Sequence, residues 1–333
     1  MNLLSDLSKV ALLNMCKERG ILKCSSKNKS QLIELLNAEP VKQVNLDIQV
    51  LASSSVIAST HIDHINPLIT CSGHLKPLIK WSGGKSDEIV QFEKYIPADY
   101  DTYIEPFVGG GSVYFYLNPT KAVISDVHSE LTDLYQCIGQ GKTAEIYDFM
   151  ENSPNTAETY YKIRDTMPIT GPIDNAKRFY YQRKTCFRGM SRYNKSGKFN
   201  IPFGKYKTIN YSNLQNPKYA ELLSRTEILN HSFETIFEKY NSENNFMFLD
   251  PPYDSEFTDY GYCKFGKEEQ EKLAKYFKET KIKCLMIIGK TQFIEDLYKD
   301  YIVDEYDKKY KFKLYAGRVG DEINTKHLII KNY

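Results

Sequence analysis

An acidic residue followed by two prolines and a tyrosine is the pattern with the clearest chemistry. Asp250-Pro251-Pro252-Tyr253 directly follows the hydrophobic run at residues 246–249. Proline fixes φ and lacks an N–H, so the backbone carbonyls beside Asp250 and Pro251 project as a rigid acceptor pair. An amino group held by two acceptors is a better nucleophile, and Tyr253 can stack on the ring that carries it. A strand ending in an Asp-capped turn would leave the second proline and Tyr253 unexplained.

A glycine-rich loop at residues 109–111 is the second pattern, and it follows a short apolar stretch. Such a loop lets the backbone approach a ligand at the carboxyl edge of a parallel sheet. Tyr114 replaces the third glycine of the dinucleotide fingerprint, which argues against NAD. The next apolar stretch ends at Asp126, whose carboxylate can accept hydrogen bonds from ribose hydroxyls. Together these residues predict an adenosine-containing cofactor without a pyrophosphate. Ile79 stands where a phosphate-binding P-loop needs glycine, which excludes ATP hydrolysis.

Positive charge is concentrated in one segment. Residues 177–209 contain ten basic residues, eight aromatic ones and no acidic one, although the whole chain carries only +2. Cations pair with phosphates and rings can stack on bases, so this basic window predicts contact with nucleic acid. The alternative is a solvated basic face with part of the aromatics in a helix core, which covers Phe179, Tyr180 and Tyr181.

Several motifs together resemble, in the same order, those of the Dam-type DNA adenine methyltransferases. They are Lys80-Trp-Ser-Gly-Gly-Lys85, Glu105-Pro-Phe-Val-Gly-Gly-Gly-Ser-Val113, Ser125-Asp126 and Asp250-Pro-Pro-Tyr253. Arg192-Tyr-Asn and the segment from Gly197 to Tyr206 are similar to that family's DNA-recognition hairpin. The resemblance covers about residues 76–333. It implies methyl transfer from S-adenosylmethionine to N6 of an adenine flipped out of double-stranded DNA, with a GATC-like site.

The resemblance also implies which residues act. For the cofactor they are Trp81, Lys85, Phe107, Gly109, Gly111, Asp126 and Asp250. For catalysis they are Asp250, Pro251, Pro252 and Tyr253. For DNA they are Lys80, Phe187, Arg188, Met190, Arg192, Pro202 and Tyr206. Arg192 is expected to bind a guanine through two hydrogen bonds. Arg188 and Met190 replace the Asn and Leu that are frequent in the family.

Two other functions compete with this hypothesis. An RNA or protein-amide methyltransferase would use the same acceptor geometry, although amide enzymes usually begin the motif with Asn where this chain has Asp250. A non-catalytic DNA-binding subunit would keep only the fold, and the intact Lys85, Asp126, Asp250 and Tyr253 argue against it.

Strands followed by turns predict an α/β fold, a Rossmann-like methyltransferase sheet, from residue 76 onward. Buried parallel strands are predicted at 102–105, 122–125, 246–249 and 284–288. Residues 311–314 and 328–330 are predicted to pair as late antiparallel strands, with Gly317 and Gly320 in the turn. Little strand signal lies between about 135 and 240, so we predict a helical DNA-recognition insert there, with a hairpin around residues 194–197.

The N-terminal residues 1–39 predict a separate helical module. Apolar spacing indicates helices at 4–19 and about 29–36, with Ser25, Ser26 and Asn28 as candidate N-caps of the second. The leucines, Gly20 and the lysines resemble the SAP family of small modules that bind duplex DNA. A helical hairpin that docks a protein is the alternative. Residues 40–75 predict a linker that would raise the effective DNA concentration for the second domain.

Composition bounds the remaining possibilities. The 333 residues suffice for about two domains, and the 41% hydrophobic content permits a globular core. The seven scattered cysteines fit reduced thiols, and we predict an intracellular protein without a membrane segment. Oligomeric state is not indicated. We predict no metal, although His61, His64, Cys71 and His74 could form a zinc site instead of a polar linker.

Overall fold

The structure is a computed structural model that describes only part of the chain. The described residues are Leu12 and residues 28–38, 74–194, 196–253, 265–310, 313–314, 318–319 and 323–333. The chain divides into two units, Met1–Ile65 and Asn66–Tyr333.

In the N-terminal unit, helix α1 spans Lys29–Ala38. Asn28 caps it, because Asn28 Oδ1 accepts from Gln31 N and Gln31 Oε1 accepts from Asn28 N, both at 3.0 Å. The second predicted helix and its cap are therefore confirmed. Of the first predicted helix only Leu12 is described, and it is helical and buried.

A seven-stranded sheet organises the second unit, in the order β3-β2-β1-β4-β5-β9-β6. Strands β1 to β5 are parallel to one another, whereas β9 runs antiparallel to both β5 and β6. A separate antiparallel pair is formed by β7 and β8. The strands are β1 Tyr103–Glu105, β2 Ala122–Ser125, β3 Thr226–Leu229, β4 Phe246–Leu249, β5 Lys283–Gly289, β6 Ile302–Tyr310, β7 Lys313–Leu314, β8 Arg318–Val319 and β9 Ile323–Lys331.

Helices cover both faces of this sheet. They are α2 Ile89–Phe92, α3 Ser112–Leu117, α4 Ser129–Gly139, α5 Thr143–Glu151, α6 Ala157–Thr166, α7 Pro172–Thr185, α8 Pro217–Ser224, α9 Phe233–Lys239, α10 Lys267–Glu279 and α11 Gln292–Tyr298, with 3₁₀ turns at Glu93–Tyr95, Phe187–Gly189 and Ser212–Gln215. Tyr103 faces a core shared with α4, α7 and α8, whereas its neighbour Ile104 faces a core shared with α9, α10 and α11. The alternation of strand side chains thus gives a three-layer α/β fold.

The four predicted parallel strands are confirmed, whereas β8 lies where only a turn was predicted and two further strands, both in the seven-stranded sheet, were missed. β3 lies within the predicted helical insert, and β6 precedes the predicted late strands. Both are the outermost strands of the sheet. Edge strands often carry charged side chains. The apolar pattern is interrupted in β3 by Glu227, and in β6 by charged pairs at residues 304–305 and 308–309.

The predicted late antiparallel pairing is wrong. Leu328 of β9 lies opposite Ile288 of β5 and Glu305 of β6, whereas Lys313 pairs with Val319. The apolar run of β9 is paired on both sides, so its partners must be long strands rather than a two-residue one. Gly317 and Gly320 lie outside the described residues.

Candidate functional site

The sheet places two acidic strand ends side by side. β1 and β4 are parallel neighbours, with Tyr103 opposite Phe246, and the strand order continues away from them in both directions. Ligands bind at such a switch point in open α/β sheets. Glu105 ends β1 and Asp250 follows β4, so both carboxyls lie at this crevice.

Asp250 pairs with Lys85, which comes from the loop before α2. Lys85 Nζ lies 2.6 Å from Asp250 Oδ1 and donates to Gly83 O at 2.7 Å. The lysine side chain is 1% exposed and that of the aspartate 20%, so the carboxylate keeps an open side while its counter-ion is buried. Burial raises the pKa of Asp250, and the Lys85 ammonium opposes that rise.

Glu105 is a second carboxyl of this crevice, which the sequence analysis did not assign to the site. It is buried and accepts a hydrogen bond from Tyr103 Oη at 2.6 Å. Burial raises the pKa of Glu105 to about 8, with the Tyr103 bond opposing the rise, so this carboxyl is mostly protonated at pH 7. Its place directly before the glycine loop is the signal that could have found it.

Tyr253 lies against groups from three different elements. Its ring centroid is 5.1 Å from Lys85 Nζ and 5.3 Å from the centroid of the His327 ring, which meets it edge-on. Gly289 at the end of β5 packs on the same ring, since a Cβ there would lie 3.4 Å from Tyr253 Cδ2. The ring is thus fixed beside Asp250 while the residue stays partly exposed.

A buried polar cluster supports Tyr253, and the sequence analysis missed it. His327 is fully buried, and its Nδ1 lies 2.7 Å from Glu88 Oε2. Tyr306 Oη donates to the same carboxylate oxygen at 2.7 Å, and Lys308 Nζ donates to Glu88 Oε1 at 2.5 Å. Burial alone would raise the pKa of Glu88, but these partners lower it to about 2. An ionised Glu88 therefore ties the segment after Lys85 to β6 and β9.

The proline pair is held from helix α10. Gln270 is fully buried, and its Nε2 donates to Pro252 O at 2.7 Å. Pro251 is buried, whereas Pro252 is partly exposed. Gln270 therefore fixes the turn that carries Asp250 and Tyr253, and nothing local in the sequence marks it.

The glycine loop and Asp126 form one hydrogen-bonded unit. Asp126 Oδ2 accepts from Gly109 N at 3.0 Å, and Oδ1 accepts from His128 N at 2.9 Å. Asp126 is buried, and burial raises its pKa to about 6 against these backbone bonds. Gly109 has φ +45° and Gly111 has φ +68°, a conformation that favours glycine.

Trp81 and Phe107 lie on opposite faces of this loop. A Cβ on Gly109 would lie 2.6 Å from Trp81 Cδ1, so only glycine permits the observed contact with the indole. Trp81 packs with the core of α4, α7 and α8, whereas Phe107 packs against Phe233 at a centroid distance of 5.6 Å. The predicted cofactor residues are thus brought together around the ends of β1, β2 and β4.

Arg183 organises the predicted DNA-binding residues without being exposed itself. It is 2% exposed, donates to Met190 O at 2.6 Å and to Lys80 O at 2.8 Å, and donates to Gly189 O through a short bond. Its guanidinium carbon also lies 5.1 Å from the Trp81 ring centroid. The buried Arg183 therefore connects Lys80, which precedes the loop at residues 81–85, with the 3₁₀ turn after α7.

The turn and the following hairpin bring the predicted DNA residues to one surface. Phe187 N donates to Pro202 O at 2.8 Å, and Lys80 Nζ lies 5.7 Å from the centroid of the Tyr206 ring. Arg188, Met190, Arg192 and Pro202 are exposed. Arg188 has φ +57°, a left-handed conformation that is strained for arginine and sets its side chain at this turn.

The predicted hairpin is confirmed. Tyr193 and Phe199 form an antiparallel bridge, and Asn194 Oδ1 accepts from Ser196 N at 3.0 Å and from Lys198 N at 2.9 Å, which closes the turn. Phe179, Tyr180 and Tyr181 are buried, as the alternative for those three aromatics required.

The interpretation of the basic window as a set of phosphate contacts is wrong for part of it. Arg183 is buried, Lys177 pairs with Glu145 at 3.4 Å, and Arg178 pairs with Glu130 at 2.7 Å. These three have structural partners because α7 carries them toward the helical layer. The described cations that are exposed are Arg188, Arg192, Lys198, Lys205 and Lys207.

The zinc alternative has only one ligand in the described residues. His74 Nδ1 lies 2.9 Å from Tyr116 O, and its ring stacks on Tyr116 at 3.8 Å; His61, His64 and Cys71 lie outside them. Where side chains are described, no three His, Cys, Asp or Glu groups are placed to share a metal ion. No helix in the described ranges is long and apolar enough to span a bilayer.

The chain is similar in sequence to known DNA methyltransferases. Residues 81–314 match the sequence profile of the family described as D12 class N6 adenine-specific DNA methyltransferase. The Type II methyltransferase M.CviBI of Paramecium bursaria Chlorella virus NC1A is 58% identical over 261 residues, which cover 78% of this chain and 100% of the relative.

Two cellular relatives extend the similarity. The Type II methyltransferase M.MjaIII of Methanocaldococcus jannaschii is 34% identical over 62% of this chain and 80% of the relative. A DNA adenine methylase of Haemophilus influenzae is 30% identical over 67% of this chain and 82% of the relative.

Proposed function

Because the chain belongs to the D12 class of N6 adenine-specific DNA methyltransferases, we propose that it methylates an adenine flipped out of duplex DNA, with S-adenosylmethionine as donor. The observation that carries the proposal is the partly exposed Asp250 carboxylate at the β1/β4 switch point, beside buried Lys85 and the ring of Tyr253. The family's substrate leaves the RNA and protein-amide alternatives without support.

The residues around the glycine loop fit an adenosine-containing donor. Asp126 offers a buried carboxylate whose oxygens have lone pairs beyond the two used by backbone N–H groups, and these can accept from ribose hydroxyls. Trp81 and Phe107 supply apolar walls. Lys85 uses two of its three donors on Gly83 and Asp250, which leaves one for the donor's carboxylate. When bound, S-adenosylmethionine supplies an electrophilic methyl group on a sulfonium.

Asp250 and the Pro251 carbonyl would accept hydrogen bonds from the N6 amino group, and Tyr253 would stack on the extruded adenine. N6 would carry positive charge once it has received the methyl group, the Asp250 carboxylate would stabilise that charge, and the surplus N6 proton would leave for solvent through the open side of the crevice. A base inside the duplex cannot reach this crevice, so the adenine must leave the stack. Lys80, Phe187, Arg188, Met190, Arg192, Pro202 and Tyr206 would hold the duplex, with Arg192 on a guanine of a GATC-like site.

The decisive experiment is Asp250→Ala assayed with duplex DNA and donor labelled on the methyl group. We expect the transfer rate to fall at least about 10²-fold while DNA retention persists, because the residues proposed to hold the duplex are unchanged. Asp304→Asn is the matched control, since it breaks an exposed Asp–Lys pair at 3.3 Å in β6. Wild-type turnover of the Asp250 variant would remove this residue from the reaction.

The methylated sequence is tested separately. Sequencing of DNA from cells that express the chain, with detection of N6-methyladenine, should give a GATC-like site. Methylation at another sequence would overturn that site and leave the rest of the proposal intact. Label on a base other than adenine would contradict the flipped-adenine geometry.

A further inference from the structure

A chain of hydrogen bonds connects Asp126, the residue predicted to bind the ribose of the cofactor, to the recognition hairpin. Asp126 Oδ1 accepts from His128 N, and His128 Nε2 lies 2.7 Å from Tyr193 Oη. Tyr193 Oη in turn donates to Glu130 Oε2 at 2.7 Å, and Glu130 Oε1 accepts from Arg178 at 2.7 Å. The path runs from the end of β2 through the first turn of α4 to the hairpin.

The protons along this path have assigned positions. His128 Nδ1 accepts from Leu131 N at 3.4 Å and so caps α4, which places the ring proton on Nε2. Burial lowers the pKa of His128 to about 4, so the ring is neutral at pH 7. His128 therefore donates to the Tyr193 oxygen, and the tyrosine proton goes to Glu130. A hydroxyl bound on both sides fixes the Tyr193 side chain.

A fixed Tyr193 determines where Arg192 points. Successive side chains of an extended segment face opposite sides, so Tyr193, which is half-buried and held at its hydroxyl, turns the exposed Arg192 outward. A second contact fixes the Arg192 side chain, because Asn200 Oδ1 accepts a hydrogen bond from Arg192 Nε at 2.9 Å. This orients the plane of the guanidinium, as recognition of a guanine by two hydrogen bonds requires.

We propose that His128 and Tyr193 are positioning residues that determine sequence specificity by orienting Arg192, although neither touches DNA. The inference rests on the proposed role of Arg192. Loss of the Tyr193 hydroxyl should lower discrimination between bases at the position that Arg192 contacts and leave the methyl-transfer step at saturating DNA unchanged.

The test measures discrimination as a ratio. This is kcat/KM for a duplex with the methylated site divided by kcat/KM for a duplex with a single base-pair change. Tyr193→Phe should reduce this ratio about tenfold at one position with kcat unchanged, because it removes the hydroxyl that bonds both His128 and the Glu130 carboxylate. Tyr211→Phe is the matched control, because Tyr211 Oη also donates to a carboxylate, Glu151 Oε1, at 2.7 Å but lies away from the hairpin. It should keep the wild-type ratio.

His128→Asn separates positioning from folding. Asparagine retains an N-cap acceptor for α4 but is too short to reach Tyr193, so this variant should lose the same discrimination. The double variant should lose no more than either single one, because both remove the same link. If the fold-losses of discrimination of the two single variants multiply in the double variant, the inference is overturned. A fall in kcat without a loss of discrimination would also overturn it.

Arg192→Ala distinguishes failure of this inference from failure of the proposed function. If Arg192→Ala lowers discrimination and Tyr193→Phe does not, the hydrogen-bond path has no positioning role. If Arg192→Ala leaves discrimination at the wild-type value, the assignment of Arg192 as the base-reading residue is itself wrong.

Discussion

At the scale of single residues, the site is defined by which carboxyls are ionised. Glu105 and Asp250 share one crevice, but Glu105 is protonated at pH 7 and Asp250 has a lysine partner. Two neighbouring anions in a buried site would repel each other, and the charge of Asp250 is one of the causes that raise the pKa of Glu105. Asp250, paired with the Lys85 ammonium, faces the open side, where its carboxyl can accept an amino group.

Asp126 gives a pH-dependence prediction. Its pKa is raised to about 6 by burial, so the carboxylate is progressively protonated below pH 6 and loses acceptor capacity for ribose. The KM for S-adenosylmethionine should therefore rise as pH falls from 7 to 5. Asp126→Asn should have a high KM that does not vary over this range, whereas the exposed Asp148→Asn should behave as wild type. An equal pH response in both variants would contradict the assignment.

Lys184 gives a second prediction at this scale. Burial and the charge of Lys80 lower the pKa of Lys184 to about 8, so the ammonium loses its proton as pH rises from 7 to 9. If it contacts a phosphate, DNA affinity should weaken over that range. Lys184→Arg stays charged and should retain affinity at pH 9, as measured by titration of labelled duplex. A parallel decline in both proteins would place Lys184 outside the DNA contact.

At the scale of elements, the antiparallel part of the sheet supports the catalytic turn. β9 carries His327 opposite Gly289 of β5 and Tyr306 of β6. Both β5 and β9 residues contact the Tyr253 ring. The parallel strands position the acidic groups, and the antiparallel strands hold the aromatic ring.

Glu88 provides a stability prediction for this arrangement. Its partners lower its pKa to about 2 from an ordinary 4.5, so its stabilisation is complete above pH 4.5 and is lost as pH falls toward 2. Glu88→Gln should lower the free energy of unfolding by about 3 kcal/mol at pH 7, and the difference from wild type should shrink between pH 4.5 and 3. Urea unfolding at several pH values measures this.

The control for Glu88 lies on β6, the strand that carries its partners Tyr306 and Lys308. Glu305 in β6 also pairs with two lysines, Lys290 and Lys326, but this cluster is about one-third exposed. Glu305→Gln should therefore lower the free energy of unfolding much less than Glu88→Gln does. If both variants lose equal stability, burial of the Glu88 cluster does not explain its effect.

At the scale of the whole molecule, two units carry different parts of the proposed function. The methyltransferase features lie in Asn66–Tyr333, and α1 lies in Met1–Ile65. The SAP-like role of the N-terminal unit remains our proposal, supported by its capped second helix.

Removal of residues 1–65 tests that proposal. We expect weaker DNA binding, because the tether is lost, and an unchanged methylated sequence, because the hairpin is retained. Fluorescence titration and methylation sequencing of both proteins measure the two effects. A changed sequence would show that the N-terminal unit reads bases, and unchanged affinity would show that it does not bind DNA.

The local sequence was sufficient for the features that depend on neighbouring residues. The parallel strands, the hairpin closed by Asn194 and the cap at Asn28 follow from apolar runs, turn chemistry and capping, which act over a few positions. The edge strands β3 and β6 were not predicted, since their polar residues carry no such pattern.

Tertiary structure alone decided which distant groups meet. Lys85 and Asp250 are 165 positions apart, Lys80 and Arg183 are 103, and Glu88 and His327 are 239. The sequence identified Asp250, Lys85 and Asp126 by motif, but it left Arg183 among the phosphate contacts and His327, Glu88 and Gln270 unassigned. A side chain's charge and partner depend on burial and on the strand order, and both are set only when the sheet assembles.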